Sequence, residues 1–400
     1  MNEVKHHPTY LGCMVAVPVF AAVFFTTLLA DGVADNVPSA VVDLDQSTAS
    51  RSVVRTIDSY QSVDVKYQLD SYSQAMDYLR QGKIMGFVII PEGFASDLLA
   101  QRKPELSFYI NFSCITPASL MQKGYTTVSL MSNAGVMHGT LSGMGMTDSA
   151  ISAMLQPYVT HMHALGNPWL DYGLYLSNSF GSTVLALMVM ILTAYSVTVE
   201  IKNHTSQQWL QSAGGSMWMA VLGKLLPQTL IFFLSGWTMQ LIFYGFAGYP
   251  LNCPMWQMVL AVLMLVVASQ GFALTVSSLI VNPRMALSVC CLTGILAFSI
   301  AGLSFPVEQM YNGVGIVSWI LPSRYYFMIY CNQALNGLPF AYSAPWYAAL
   351  IVFTLVPWLL LWHLKQLLLY LVRYATSCGL RMNTYGWVQM SEYASPEGKG

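Results

Sequence analysis

The chain has 400 residues, of which 55% are hydrophobic and only 9% are charged, and its formal net charge is −1. A soluble globular protein carries charge on roughly a quarter of its residues, so this composition excludes that class and indicates a membrane protein. The near-zero net charge gives no electrostatic basis for binding nucleic acid, and we expect no such partner.

Six apolar stretches are long enough to cross a bilayer. A spanning helix needs about 20 apolar residues, and a Lys, Arg or Asp at its centre costs about 2.5–3.5 kcal/mol on insertion scales. The uncharged stretch Leu225–Pro283 accommodates two helices, joined at the Gly- and Pro-containing turn Ala247–Pro254. The remaining predicted spans are Pro8–Ala30, Tyr172–Val199, Met285–Val307 and Pro345–Leu364.

The segment between the first two spans, residues 31–171, predicts a separate α/β and helical domain. SAVVDLD, VDVKYQL, IMGFVIIP and ELSFYINF have strand patterns, and short helical patterns lie between them. Alternating strands and helices are typical of a small α/β unit. A long helical stretch then runs from Thr116 to about Tyr158, with an interruption near Gly139–Asp148.

The first strand ends in Asp-x-Asp, a pattern that raises the question of catalysis. Haloacid-dehalogenase-like phosphatases present a nucleophile and a general acid in this way, which would be Asp43 and Asp45. That chemistry needs a carboxylate pair after a later strand, and the sequence shows none there. The structural alternative, which we favour, is that both carboxylates end a strand and Ser47 caps the next helix.

Cofactor and metal motifs are scarce. The pair His161 and His163 has spacing that reaches one metal ion, but a solvated loop is the simpler interpretation. The sequence has no Gly-rich loop followed by Lys-Ser/Thr, no HExxH and no nucleophile elbow. We therefore expect no cofactor and no bound metal, and energy for any work must come from a partner or a gradient.

Charge placement predicts the topology. Lys and Arg residues cluster beside the spans at Lys5, Lys202, Lys224 and Lys365, which puts both termini in the cytoplasm and residues 31–171 outside it. The segment 305–337 is apolar but broken by Pro and Gly, which favours a re-entrant segment before the sixth span. The predicted spans are almost free of ionisable groups, which argues against a proton-coupled carrier and towards an externally powered permease.

The stretch Glu200–Pro227, EIKNHTSQQWLQSAGGSMWMAVLGKLLP, resembles the segment after the second span of ABC type-2 transporter permeases. There a Glu, a Gly-Thr, a Gln-Leu and a Gly-Lys-x-x-Pro recur, and the segment serves as a coupling helix resting on the ATPase subunit. Lys202 and His204 depart from the family pattern, which has a second Glu and a Gly. Further similarity to the drug-efflux-type branch runs through VVDLDQSTASRSVVRTIDS, YLRQGKIMGFVIIPEGFASDLL, Asn167-Pro168 and Phe305 to Gly337.

The resemblance implies a permease subunit of an ATP-driven exporter in the bacterial inner membrane, moving an apolar or amphipathic substrate out of the cytoplasm. The implied partners are an ABC ATPase subunit, a second permease chain that is the same or homologous, the lipid bilayer and, as a further option, a periplasmic adaptor. The implied ATPase-coupling residues are Glu200, Lys202, His204, Thr205, Gln208 and Leu210. The implied gate in the re-entrant segment comprises Phe305, Pro306, Glu308, Gly313, Pro322 and Arg324.

The predicted organisation is a first span (1–30), an extracytoplasmic domain (31–171), spans two to six (172–371) with a coupling helix near 203–213, and a cytoplasmic tail (372–400). Two other functions stay open. One is a membrane-anchored sensor or adaptor whose exterior domain binds a ligand or partner. The other is a membrane-tethered phosphatase that uses Asp43 and Asp45.

Overall fold

The computed structural model describes residues 8–30, 36–100, 104–112, 115–143, 145–155, 167, 171–203, 205–280 and 282–377. It divides into two compact units, one formed by Met1–Ala30 with Ala164–Gly400 and the other by Asp31–His163. We call the first the helical unit and the second the insertion domain.

Among the described residues, helices and strands alternate up to Ile110 and helices follow. They are α1 (Pro8–Leu28), β1 (Val37–Asp43), α2 (Thr48–Asp58), β2 (Val63–Leu69), α3 (Tyr72–Arg80), β3 (Gly86–Ile90), α4 (Phe94–Leu99), β4 (Ser107–Ile110), α5 (Ile115–Gly143), α6 (Asp148–Leu155), α7 (Tyr172–Lys202), α8 (Ser206–Ser212), α9 (Met217–Gln240), α10 (Met255–Leu279), α11 (Pro283–Ile300), α12 (Asn312–Ser318), α13 (Pro322–Tyr330) and α14 (Phe340–Ser377).

Six helices of the described residues are long and apolar enough to cross a membrane, namely α1, α7, α9, α10, α11 and α14. This confirms the prediction of a polytopic helical membrane protein. Several boundaries differ from the prediction; α11, for example, ends at Ile300 and not at Val307. Helix α9 begins at Met217 and takes in Lys224, whose charge is matched by Glu200, and α14 begins at Phe340, before Pro345.

Helices α7 and α10 form the centre of the helical unit. In each of these two helices, 67% of the most apolar stretch is buried inside the protein. The buried share is only 22% or 28% in the other four long helices, which are therefore peripheral. Helix α10 approaches α14 at Gly271, where an added Cβ would lie 2.3 Å from the Phe353 carbonyl oxygen. That carbonyl has lost its helical donor, because Pro357 has no N–H four residues later.

The insertion domain contains a four-stranded sheet in the order β2-β1-β3-β4. Strand β1 runs parallel to β2 and β3, and β4 is antiparallel to β3 and forms one edge. Val41 and Val88, from the two central strands, belong to one core cluster with residues of α2 and α5. Ala40 and Phe87 pack with Ala75 of α3 in a second cluster. The strands lie where the sequence alternation predicts them.

The chain between α11 and α14 is broken into short pieces. Gly302 adopts φ +94° directly after α11, and a 3-10 turn, α12 and α13 follow. A π-helical turn, Cys331–Leu335, then leads to Gly337 at φ +62°. Most of α12 is exposed, whereas nearly all of α13 is buried, so the two halves of this segment have different surroundings.

We expect Gly271→Ala to lower the free energy of unfolding by about 1–3 kcal/mol, because the new methyl group overpacks the contact between α10 and α14. Thermal unfolding of the full chain in detergent measures this. Gly223→Ala in α9 is the matched control, since nothing lies within 4 Å of its added Cβ. Equal midpoints for the two variants would contradict the close packing.

Candidate functional site

An ion pair joins the end of α7 to the second turn of α9. The Lys224 Nζ lies 2.5 Å from Glu200 Oε1, and the two side chains are only 13% and 14% exposed. The Thr205 hydroxyl donates to the other carboxylate oxygen, Oε2. Both oxygens of Glu200 therefore have partners within the chain, in a site largely shielded from solvent.

The Glu200 backbone organises the turn into α8. Its carbonyl oxygen accepts hydrogen bonds from the Thr205 N–H (3.1 Å) and the Ser206 hydroxyl (3.0 Å). The Lys224 ammonium also lies 5.1 Å from the centroid of the Trp209 ring, close enough for a cation–π interaction. One acidic residue thus fixes both the start of α8 and its position against α9.

Helix α8 has a buried face and an exposed face. Leu210 is buried, in a cluster with residues of α7, α9, α10 and α14, and Ser206 is buried beside it. Gln207, Gln208 and Gln211 are exposed. The helix is therefore held by its apolar face and presents a row of amide side chains, a surface suited to hydrogen bonding with another protein.

Helix α14 is tied to the same region at Lys365, twelve residues before its end. Lys365 Nζ donates to the Gly215 carbonyl oxygen (2.7 Å), in a turn where Gly214 and Gly215 have φ of +63° and +77°. His363 Nδ1 lies 3.2 Å from the Ser278 carbonyl oxygen at the end of α10. Four long helices, α7, α9, α10 and α14, therefore meet around α8.

The predicted coupling residues fall into three groups. Glu200 and Thr205 are in direct contact, Gln208 is exposed and Leu210 is buried. His204 and the side chain of Lys202 lie outside the described residues. We expected the Glu200 charge to face a partner surface, but the structure uses it inside the chain.

Sequence analysis did not pair Lys224 with Glu200, although it noted the Gly-Lys-x-x-Pro motif that contains this lysine. The two residues are 24 positions apart, and neither helical periodicity nor a local motif links them. The family resemblance of both segments was the available signal.

A buried polar cluster, also missed, connects α7, α9 and α13. The Tyr326 hydroxyl donates to Asn178 Oδ1 (2.9 Å) and accepts from Gln240 Nε2 (2.9 Å). Asn178 Nδ2 donates to the Tyr244 hydroxyl (3.0 Å) in the π-helical turn that follows α9. Neutral side chains that form hydrogen bonds with one another inside a helical bundle hold the helices in one arrangement.

The predicted gate residues divide into two sets. Pro322 and Arg324 are buried in α13, and the Arg324 guanidinium lies 5.2 Å from the Trp319 ring centroid. Phe305, Pro306 and Gly313 are exposed, and the side chain of Glu308 lies outside the described residues. Exposure therefore divides the five residues whose side chains the structure describes, and Arg324 reaches towards the exposed half, since its Nη1 would lie 3.6 Å from a Cβ added at Gly302.

The two aspartates at the end of β1 serve local structure. Asp43 Oδ1 accepts from the N–H groups of Asp45 and Gln46, and Oδ2 accepts from the Ser50 hydroxyl (2.7 Å). Asp45 Oδ2 accepts from the Ala95 N–H (3.1 Å) at the start of α4. Ser47 caps α2, as predicted.

Metal ligands are not grouped in the part of the chain that the structure describes. No three His, Cys, Asp or Glu side chains there come together in a way that holds a metal ion. His161 and His163 lie outside the described residues.

Breaking the ion pair is expected to cost stability. Glu200→Gln or Lys224→Met alone leaves an uncompensated charge in a shielded site, so each lowers the free energy of unfolding. The double variant recovers part of the loss, with a coupling energy of about 1–3 kcal/mol. Thermal unfolding of the unaltered chain, the two single variants and the double variant in one detergent measures this coupling energy. Strictly additive effects of the two substitutions would refute the coupling.

The pKa of Asp45 is lowered from its ordinary value of 3.8, first by the Ser47 hydroxyl and also by backbone N–H groups around the start of α4. The ionised Asp45 carboxylate therefore stabilises the folded insertion domain in full above pH 3.8. This stabilisation is lost as the pH falls through the folded-state pKa of Asp45. We expect Asp45→Asn to speed pepsin cleavage of the insertion domain at about pH 5, and the difference from the unaltered chain to shrink as the pH falls through the folded-state pKa of Asp45. The exposed Asp70→Asn is the control, and parallel profiles for both variants would exclude this role.

Comparison with known proteins adds the following findings. The family model described as "ABC-2 family transporter protein" matches residues 8–363. Two curated relatives are named "Probable multidrug ABC transporter permease YbhR", from Escherichia coli strain K12 and from Escherichia coli O157:H7. Each is 29% identical over 168 residues, which are 40% of this chain and 43% of the relative, so the match spans less than half of their length. Because the family model covers nearly the whole chain, the protein belongs to the ABC-2 family of transporter proteins.

Proposed function

We propose that this chain is the permease subunit of an ATP-driven ABC exporter, with ATP hydrolysed on separate subunits. The observation that carries the proposal is the anchoring of α8, whose exposed Gln207, Gln208 and Gln211 stand on a base fixed by the Glu200–Lys224 pair. Helix α8 would be the coupling helix that an ATPase subunit contacts. The name of the curated relatives, multidrug ABC transporter permease, supports the same function.

Force applied to α8 has direct routes into the helical unit. Glu200 passes it to α7 and, through Lys224, to α9. The bond from Lys365 to Gly215 passes it to α14. Because these bonds hold α8 and the turn after it to three spanning helices, a displacement of α8 moves the three helices together.

The broken segment would supply the outer gate. The cluster around Tyr326 holds α13 to α7 and α9, so α13 is the fixed part. The moving part would be residues 301–321, which include exposed Phe305 and Pro306 and the bend at Gly302. The proposed gate is therefore residues 301–321, the half of the broken segment before α13, and not the six separate residues that the family resemblance implied.

The scarcity of charged residues in the spans supports an apolar or amphipathic cargo. In the proposed arrangement the chain lies in the bacterial inner membrane with both termini in the cytoplasm and the insertion domain outside. A second permease chain completes the path, and a periplasmic adaptor would contact the insertion domain.

A sensor or adaptor is the second candidate function, because the insertion domain carries an open groove of ≈ 600 Å³. Its walls include Phe108 and Phe112 on one side and Gln122 and Leu130 of α5 on the other. This volume is within the range of ligand pockets. A sensor would bind its ligand there without any dependence on α8, which separates it from a permease.

The test is recovery of a nucleotide-binding subunit with the full chain from mild detergent, identified by mass spectrometry. We expect Gln208→Trp to reduce this recovery, and ATP-dependent export, on the order of ten-fold, because a bulky ring on the exposed face of α8 blocks close contact. Met219→Trp, at an exposed site of α9, is the matched control and keeps both activities. Consistent absence of an ATPase subunit with the unaltered chain would reject the permease function.

A further inference from the structure

The helical unit contains a second feature beside the coupling site, a cleft of ≈ 140 Å³ between α9, α10 and α14. It shares Leu225, Leu274 and Trp358 with the apolar cluster around Leu210. The residues that line each wall are three or four positions apart, as on one face of a helix. They are Leu222, Leu226 and Thr229 on α9 and Val267 and Gln270 on α10. None of the residues that line it is charged. A cavity of about 150 Å³ holds one benzene molecule, so the cleft accommodates one ring or a short apolar chain.

The position of the cleft determines where a ligand comes from. Its walls lie within three helices long and apolar enough to cross a membrane, and Leu222 and Leu226 on its rim are 36% and 60% exposed. Trp358 also lines the cleft and stacks on Trp218 at 4.5 Å. A ligand therefore enters from the bilayer, as a molecule already dissolved in lipid.

One wall of the cleft has an unused hydrogen-bond donor. Gln270 is 4% exposed, and its Oε1 (2.7 Å) shares the proton of the Thr229 hydroxyl with the Leu225 carbonyl oxygen (2.9 Å). Its Nε2 has no hydrogen-bond partner among the described residues. A buried amide nitrogen without an acceptor costs free energy, and an acceptor atom on a ligand would remove that cost.

The position of Gln270 along the helices indicates which part of the bilayer the cleft faces. Gln270 lies nine residues before Leu279, the end of α10, which is about 13 Å along the helix. Its partner Thr229 lies five residues after Lys224 on α9, which is about 8 Å. A hydrocarbon layer is about 30 Å thick, so we place Gln270 in the half of that layer on the side of Lys224, where a molecule dissolved in lipid reaches it.

The geometry points to a binding site for a neutral, membrane-dissolved molecule with one ring-sized apolar group and a carbonyl or ether oxygen that accepts from Gln270. This deepens the proposed function by naming a class of cargo, and it rests on that function only in calling the ligand cargo. Binding itself needs neither ATP nor an ATPase subunit.

The probe is benzophenone, a neutral diaryl ketone that forms covalent bonds with nearby C–H groups on illumination. The full chain in lipid nanodiscs is illuminated with benzophenone, and labelled peptides are mapped by mass spectrometry. We expect labelling to concentrate on residues 222–229, 267–274 and 354–358. Labelling spread evenly over the exposed surfaces of the spans would overturn the proposal.

Two competitors of similar size isolate the hydrogen bond. Acetophenone has a carbonyl oxygen and ethylbenzene has none, and both are compared at equal concentration in the membrane phase. We expect acetophenone to compete about five-fold better, the effect of one added hydrogen bond. Equal competition would overturn the role of Gln270.

Three variants complete the test. Gln270→Met removes the amide and abolishes the preference for acetophenone, while Thr229 keeps its bond to the Leu225 carbonyl oxygen. Val267→Phe fills the cleft and abolishes the labelling. Leu263→Phe, one turn away on α10 and partly exposed like Val267, is the control and leaves labelling unchanged; loss in both Phe variants would overturn the assignment.

ATP-dependent export of the competing ketone separates the two levels of the proposal. Export that the Val267→Phe variant loses supports the ligand as cargo. Localised labelling without export overturns the cargo assignment and leaves the binding site standing. Failure to recover an ATPase subunit rejects the proposed function alone, because the labelling experiment does not depend on it.

Discussion

The contact between Glu200 and Lys224 is the constraint on which the rest of the site depends. Taking two charges out of water is favourable only when each is paired and hydrogen-bonded, and here Thr205 and the Trp209 ring complete the set. Because the pair lies between α7 and α9, it determines where α8 sits. The exposed amides of α8 then follow from the buried position of Leu210.

The two ends of the helical unit are built on different chemistry. Around α8 the helices are joined by an ion pair and by bonds to backbone carbonyl groups, which short loops make available. Near α13 they are joined by neutral side chains that form hydrogen bonds with one another, with Asn178 and Tyr326 both fully buried. An ion pair tolerates a polar boundary, whereas neutral polar groups are the less costly choice deeper in an apolar unit.

Local features were predictable from sequence. The cost of placing charge in lipid located all six long helices, and Ser47 was identified as a cap because it precedes a helical pattern. Contacts between distant residues were not predictable, since Asn178 and Tyr326 are 148 positions apart and no periodicity or local motif links them. The predicted third span begins at Leu225, eight residues after the observed start of α9 at Met217. The reason is the same, because a lysine at position 224 indicates a loop unless its pairing with Glu200 is known.

The contact between Gly271 and the Phe353 carbonyl oxygen has an evolutionary consequence. Pro357 leaves that oxygen without a donor in its own helix, and only a residue without a side chain lets α10 come close enough to cover it. Positions 271 and 357 are therefore expected to change together among homologues. In a homologue with a residue other than proline at position 357, the N–H of that residue can bond to the carbonyl oxygen at position 353, so glycine is no longer required at position 271. Helices α10 and α14 can then lie further apart, which changes the shape of the neighbouring cleft.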